Sequence, residues 1–381
     1  MTINRFEIMF NPFLNFMRMK NLIVLAAVAI ATVACSRTFD TAPAKDQAVG
    51  FGSWTNTLTR ARTIGGTAFD SGDFFFVYGY TSGAQTPFDG TKVSYDGTDW
   101  TYSPLRFWDR NNDNYHFYAI SPSESTAAAT DLVASHDVTD GTMTTVSLTL
   151  SGKNNDILVA DSVQVIKAHY GEVVNLNFRH AGALLDVKVR KGAALGDNGV
   201  LKITAVTLEN INKTGTLAVT GYNAPDHATA PKKAILSWTS TATGSYVPAD
   251  GVNEVTTISA ATPITTTGDQ FLFNNLVVMP QTFAASQQRV KISYTITTGT
   301  GADEQTNTFT DKTYDLVLFD KTDYDSSLGT DPDAQNTNPR VTGWLDGVHY
   351  TYVLTIDAEA IVFSASITDW TTDDGYYYLI N

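Results

Sequence analysis

Beyond residue 40 the apolar residues of this chain recur at every second position, and that spacing limits its possible folds more than any other feature does. Val93 and Tyr95 follow it, as do Tyr115, Phe117 and Ala119; Val146, Leu148 and Leu150; and Val174, Leu176 and Phe178. So do Leu201, Ile203 and Ala205; Val290, Ile292, Tyr294 and Ile296; and Tyr350, Tyr352, Leu354 and Ile356. Successive side chains of an extended strand point to opposite faces, so each run buries one face and wets the other, as antiparallel sheets do. Gly, Asp and Asn return about every eight to twelve residues between the runs, the spacing of short strands and turns. Helical periodicity is confined to residues 123–134 and 180–185, stretches too short to organise an α/β fold. The expected class is all-β, with two stacked antiparallel sheets in each domain.

The amino-terminal region obeys a different rule. Leu22 to Ala34 is apolar or small without a charge, too short to cross a hydrocarbon core that needs roughly 20 residues. Lys20 precedes it, so residues 1–34 read as an export signal whose translation starts at Met19. Cys35, the only cysteine in the chain, stands directly after this run. It has no partner for an internal disulfide. With Val33 and Ala34 before it, the cysteine resembles the lipidated first residue of a bacterial lipoprotein, although Thr32 replaces the usual leucine. Lipid on Cys35 would tether the protein to the outer membrane. Removing the leader, which carries Arg5, Arg18 and Lys20 against Glu7, makes the formal charge of −14 more negative by two. Such acidity excludes a nucleic-acid partner, whose phosphates select Lys and Arg clusters.

Chemistry-bearing patterns are scarce. The sequence contains no G-x-S-x-G elbow, no H-E-x-x-H and no phosphate-cradling glycine loop. His116, His136, His169, His180, His227 and His349 lack the close spacing of a zinc site, and His180 is expected to hydrogen-bond at a strand end. Asp109, Asn111 and Asp113 repeat the opening of a calcium loop, but Asn114 stands where glycine is required and Ile120 where the closing glutamate belongs. These residues read as a turn, and no metal or cofactor is expected. Trp100, Trp108, Trp344 and Trp370 are expected in sandwich cores rather than on a glycan-stacking platform. The chain is therefore read as a non-enzyme, the rival being a hydrolase with an unrecognised carboxylate pair.

The run from Trp100 to Pro122, with Trp100, Tyr102, Pro104, Phe107, Trp108, Tyr115, Phe117, Ala119 and Pro122 in order, resembles the fimbrillin-like surface proteins of Bacteroidales. Residues 69–80, 174–189, 343–356 and 367–370 extend the resemblance over nearly the whole exported chain. The resemblance implies two transthyretin-like antiparallel β-sandwich domains with Greek-key connections. Their expected bounds are 63–178 and 179–381, the junction being placed where one strand ends near Phe178 and another begins near Ala183. It also implies a cell-surface fimbrial subunit, structural or adhesive, assembled with copies of itself or with other subunits.

In that family a trypsin-like protease removes an N-terminal strand and a strand from the next subunit fills the groove. The matching parts here lie in residues 35–62: a short strand at 48–54 with Val49 and Phe51 on one face, then Arg60 and Arg62 in a polar stretch that a protease could reach. The candidate donor is residues 361–381, in which Ile361, Phe363, Ala365 and Ile367 alternate. The same residues read equally as the last strand of their own sheet. A stand-alone lipoprotein binding surface glycans, without polymerisation, is the alternative function. Surface glycans or proteins of a host or another bacterium are further candidate partners.

Overall fold

The alternating runs become strands wherever another strand is at hand to take their backbone groups. A computed structural model describes residues 47–54, 69–122, 128–137, 141–150, 156–220, 234–248, 263–264, 268–284, 286–317, 341–358 and 361–369. The expected leader at 1–34, Cys35, Arg60, Arg62, Trp370 and the rest of 370–381 lie outside the described residues. In chain order the strands are β1 (Phe51–Trp54), β2 (Phe74–Thr81), β3 (Phe88–Tyr95), β4 (Trp100–Thr101), β5 (Asn114–Ser121), β6 (Val133–His136), β7 (Met143–Thr145), β8 (Leu148–Thr149), β9 (Leu158–Ala160), β10 (Val163–Ile166) and β11 (Val174–His180). There follow β12 (Ala183–Lys191), β13 (Val200–Thr220), β14 (Ile235–Tyr246), β15 (Gln270–Val278), β16 (Gln281–Thr282), β17 (Arg289–Thr298), β18 (Gln305–Asp315), β19 (Gly343–Trp344), β20 (Val348–Ile356) and β21 (Ile361–Asp369).

Among the described residues these strands form three large sheets. An eight-stranded sheet runs β1-β11-β9-β5-β2-β3-β4, with β10 also on β5. A seven-stranded sheet runs β18-β17-β13-β7-β6, with β14 and β8 also on β13. A four-stranded sheet runs β15-β12-β20-β21, and β16 pairs with β19. Most ladders are antiparallel, but β1 lies parallel to β11 and β12 parallel to β20.

Period-two burial is plain where one face is wet: Val174, Leu176, Phe178 and His180 of β11 are buried while Asn175 is exposed. β2 departs from alternation, because all its residues except Tyr80 are buried. One face of β2 and β5 packs into a core with Phe75, Val77, Phe117 and Ala119. The other face, with Phe76, Tyr78, Tyr118 and Ile120, meets Val133, Met143, Leu217 and Val219 of the seven-stranded sheet. β13 makes both roles possible. Its first half pairs with β17 above the core of Leu185, Val187, Tyr350 and Tyr352, and its second half pairs with β14 and β7 over the eight-stranded sheet.

Among the described residues neither stretch with helical periodicity forms a helix. Residues 129–131 form a single 3-10 turn and β6 begins at Val133, because β7 supplies a ladder for that stretch; a turn of that length has little intrinsic stability against a strand partner. Residues 180–185 are the end of β11, a two-residue bend and the start of β12. His180 does sit at a strand end, with Nδ1 2.8 Å from Asp156 Oδ1 and both groups buried. Asp109 closes a turn: its carboxylate accepts from the Asn111 backbone N–H at 2.9 Å and from Asn112 Nδ2 at 3.0 Å. Among the described residues no three metal-ligating side chains converge. Trp108 and Trp344 are buried, and Trp100 is half-buried against Phe69, Phe75 and Tyr95.

Burial pushes the phenols of Tyr78, Tyr170, Tyr314 and Tyr350 up to about 12, from an ordinary value near 10. Each favours the folded chain fully below pH 10, and that contribution is lost as pH rises through the folded value. Tyrosinate absorbance is therefore expected to lag behind free tyrosine and to rise together with loss of the β-sheet signal as pH approaches 12. Complete titration near pH 10 with the fold intact would refute this packing.

Candidate strand-exchange site

The expected strand at 48–54 begins only at Phe51, and in "VGFG" at 49–52 an apolar side chain alternates with none; the fold uses both properties. β1 lies in register with β11, Phe51 opposite Val174 and Gly52 opposite Asn175. On its other side the residues following β4 approach it: Ala48 bridges to Phe107, and Val49 N–H donates to Arg106 O at 2.8 Å. Val174 N–H donates to Gly50 O at 2.8 Å, and the Tyr102 hydroxyl donates to Val49 O at 2.7 Å. β1 thus fills a slot between β11 and the 102–107 segment, touching the two ends of the eight-stranded sheet.

Inside the slot, Val49 and Phe51 are only 1% and 6% exposed. The Phe51 ring meets Phe75, Phe88, Tyr102 and Phe117 at centroid distances of 6.2, 5.3, 5.6 and 5.6 Å, all edge-to-face. Such pairs contribute about 0.5–1.5 kcal/mol each beyond the area they bury. The Tyr102 phenol also receives the Arg106 N–H at 3.3 Å. Burial raises its pKa against the opposing backbone hydrogen bond and charge of Arg106, so it remains a proton donor.

Outside the slot, a Cβ on Gly52 would stand 2.8 Å from Asn175 Oδ1 and 3.0 Å from Val173 Cγ1, so a side chain there would have to displace the ends of these two side chains. Leu105, Phe107 and Val173, which flank the slot, are 55%, 49% and 54% exposed, leaving an apolar rim.

The other anticipated strand lies elsewhere. Ile361 and Ile367 are in β21, at the edge of the four-stranded sheet, opposite Ile356 and Tyr350 of β20 and packed against the second core. Phe363 is opposite Leu354 in the same ladder, and its side chain lies outside the described residues. The structure therefore brings Val49 and Phe51 together and places Ile361 and Ile367 in a different sheet. Sequence reasoning missed Phe88, Tyr102, Val173 and Gly52. Only the alternation of side chain and glycine in "VGFG" carried a signal for them.

A family model described as fimbrillin-like matches residues 59–370. The chain belongs to the fimbrillin-like family. A fimbrial protein from Bacteroides vulgatus, 17% identical, shares the fold with a TM-score of 0.51 over 85% of this fimbrillin-like chain and 99% of its own. A candidate cell adhesion protein from Bacteroides uniformis aligns at 16% identity over 86% of this chain and 100% of its own, with a TM-score of 0.42. One from Parabacteroides distasonis aligns at 10% identity over 87% and 100%, with a TM-score of 0.47. A comparison with curated proteins found no match.

Proposed function

We propose that this fimbrillin-like chain is a fimbrial subunit, structural or adhesive, exported as a lipoprotein through Cys35 and assembled by strand exchange at the seat of β1. The observation that carries the reading is a mismatch between what β1 fills and what holds it. Its Phe51 completes an aromatic core, yet its ladder has only four residue pairs and it contains a glycine. Glycine loses the most conformational entropy in an extended strand, and short edge elements open at the low end of a protein's range of local stabilities. A cut at Arg60 or Arg62 would detach β1 and Cys35 from the body and leave a slot whose main-chain groups and apolar walls suit another strand. Residues 361–381 of a second copy are the proposed donor, and the two domains are taken to divide near residue 178.

Limited trypsin treatment of the purified chain tests this reading. The expected result is a cut after Arg60 or Arg62, dissociation of the N-terminal peptide and ladders on a mildly denaturing gel. A chain that is cut there but stays monomeric with its peptide bound would fit solitary display instead.

A further inference from the structure

A chain whose only cysteine is Cys35 cannot close an internal disulfide, so a covalent link between its strands has to come from other side chains. Tyr80 and Tyr118 offer one. They share a face of β2 and β5 as diagonal neighbours, since Tyr80 stands opposite His116 and Tyr78 opposite Tyr118, and aromatic side chains reach across that diagonal. Their rings are nearly parallel, 12° apart, with centroids separated by 5.7 Å and hydroxyl oxygens by only 2.8 Å. The rings therefore converge toward their hydroxyl ends, which brings together the ortho carbons where a phenoxyl radical carries much of its spin. His116 also stacks on Tyr80, at 4.9 Å and 8°. Gly141, at φ +74° and without room for a Cβ, closes over the Tyr118 ring. Tyr118 is 4% exposed whereas Tyr80 is half-buried, so an oxidant in solution reaches the pair through Tyr80. Two other close tyrosine pairs lack this arrangement. Tyr115 and Tyr170 meet edge-on at 85°, with their hydroxyls bonded to the backbone of Asp109 and Asn112. Tyr294 shares a hydrogen bond with Tyr314, but its ring stacks on Phe309.

We infer that Tyr80 and Tyr118 form an oxidative cross-linking site, at which a one-electron oxidant joins β2 to β5 through a carbon–carbon bond. Each phenol gives one electron to the oxidant and one proton to water. The two phenoxyl radicals couple at their ortho carbons, and the hydrogen on each coupled carbon then moves to the oxygen of its ring, which restores both phenols. The net change is the loss of two hydrogens to two equivalents of oxidant. Alignment within the fold makes the coupling intramolecular and favours it over encounters between molecules. The bond closes the stretch from residue 80 to residue 118, which holds β3 and β4, and it constrains the unfolded chain as a disulfide would. The inference does not depend on strand exchange.

Treatment of the full, uncut chain with hexachloroiridate(IV), a small one-electron oxidant, provides the test. The expected product is a monomer with dityrosine fluorescence, lighter by two hydrogens, whose digest contains one cross-linked peptide joining Tyr80 to Tyr118. Its Tm is expected to rise by about 3–5 °C. Tyr80→Phe and Tyr118→Phe, each checked for an intact fold by circular dichroism, are expected to lower the yield at least about tenfold, because the aligned partner is gone. Tyr314→Phe is expected to leave the yield unchanged. Peptide mapping of the unsubstituted chain decides the matter even where a variant fails to fold. Absence of dityrosine, a link that maps to other tyrosines, links formed only between molecules, or a full yield from folded Tyr80→Phe would each overturn the inference.

Discussion

Replacing Phe51 with alanine is expected to destabilise the chain by about 3–5 kcal/mol, the range for removing a buried phenylalanine that its surroundings cannot collapse around. The four rings that meet Phe51 come from β2, β3, β5 and the segment after β4, and each is also held by other neighbours. They cannot all move inward, so a cavity remains. For a chain of this size the loss corresponds to a fall in Tm of about 4–6 °C. The response should be local in origin: β1 leaves its slot first, apolar dye binds the exposed box, and protease reaches the N-terminal segment at temperatures where the second core is intact. An F51A protein with unchanged Tm and no dye binding would show that β1 does not plug the core.

Replacing His180 with alanine should cost about 3 kcal/mol through a different mechanism. Its Nδ1 lies 2.8 Å from Asp156 Oδ1, with both side chains nearly inaccessible. Deleting the imidazole leaves a buried carboxylate without that partner, and unpaired buried charge is among the costliest single changes. The site is the end of β11, separated by two residues from the start of β12 in the four-stranded sheet, so the loosened element is the strand that seats β1. Chemical denaturation of H180A, D156N and the double variant should give a non-additive cycle, the double variant being no worse than the worse single one. Additive losses would mean that the two residues act separately.

The second half of the chain was the more legible in sequence, and the reason lies in solvent exposure. β20 has water near one face, and Tyr350, Tyr352, Leu354 and Ile356 announce the buried face by their spacing. β2 reads as an unbroken apolar run because both its faces are covered, and the cover comes from residues as distant as Leu217 and Val219. β8 lies within the alternating run 146–150, whereas β6 and β7 show no such run, since strands of three or four residues are defined by their partner rather than by their own pattern. At the seat, Val49 and Phe51 were visible as a two-residue alternation. The box was not, because Phe75, Phe88, Tyr102 and Phe117 converge only through three-dimensional pairing.

Assembly by strand exchange requires that β1 leave its slot before subunits join. A disulfide between cysteines introduced at Gly50 and Val173 would lock it, since a Cβ on Gly50 lies 3.8 Å from Val173 Cγ2, and Cys35→Ser would leave that pair as the only thiols. After a cut in the 55–62 stretch, the oxidised chain is expected to remain monomeric and the reduced chain to form ladders. Ladders of equal length from the oxidised and the reduced chain would contradict it.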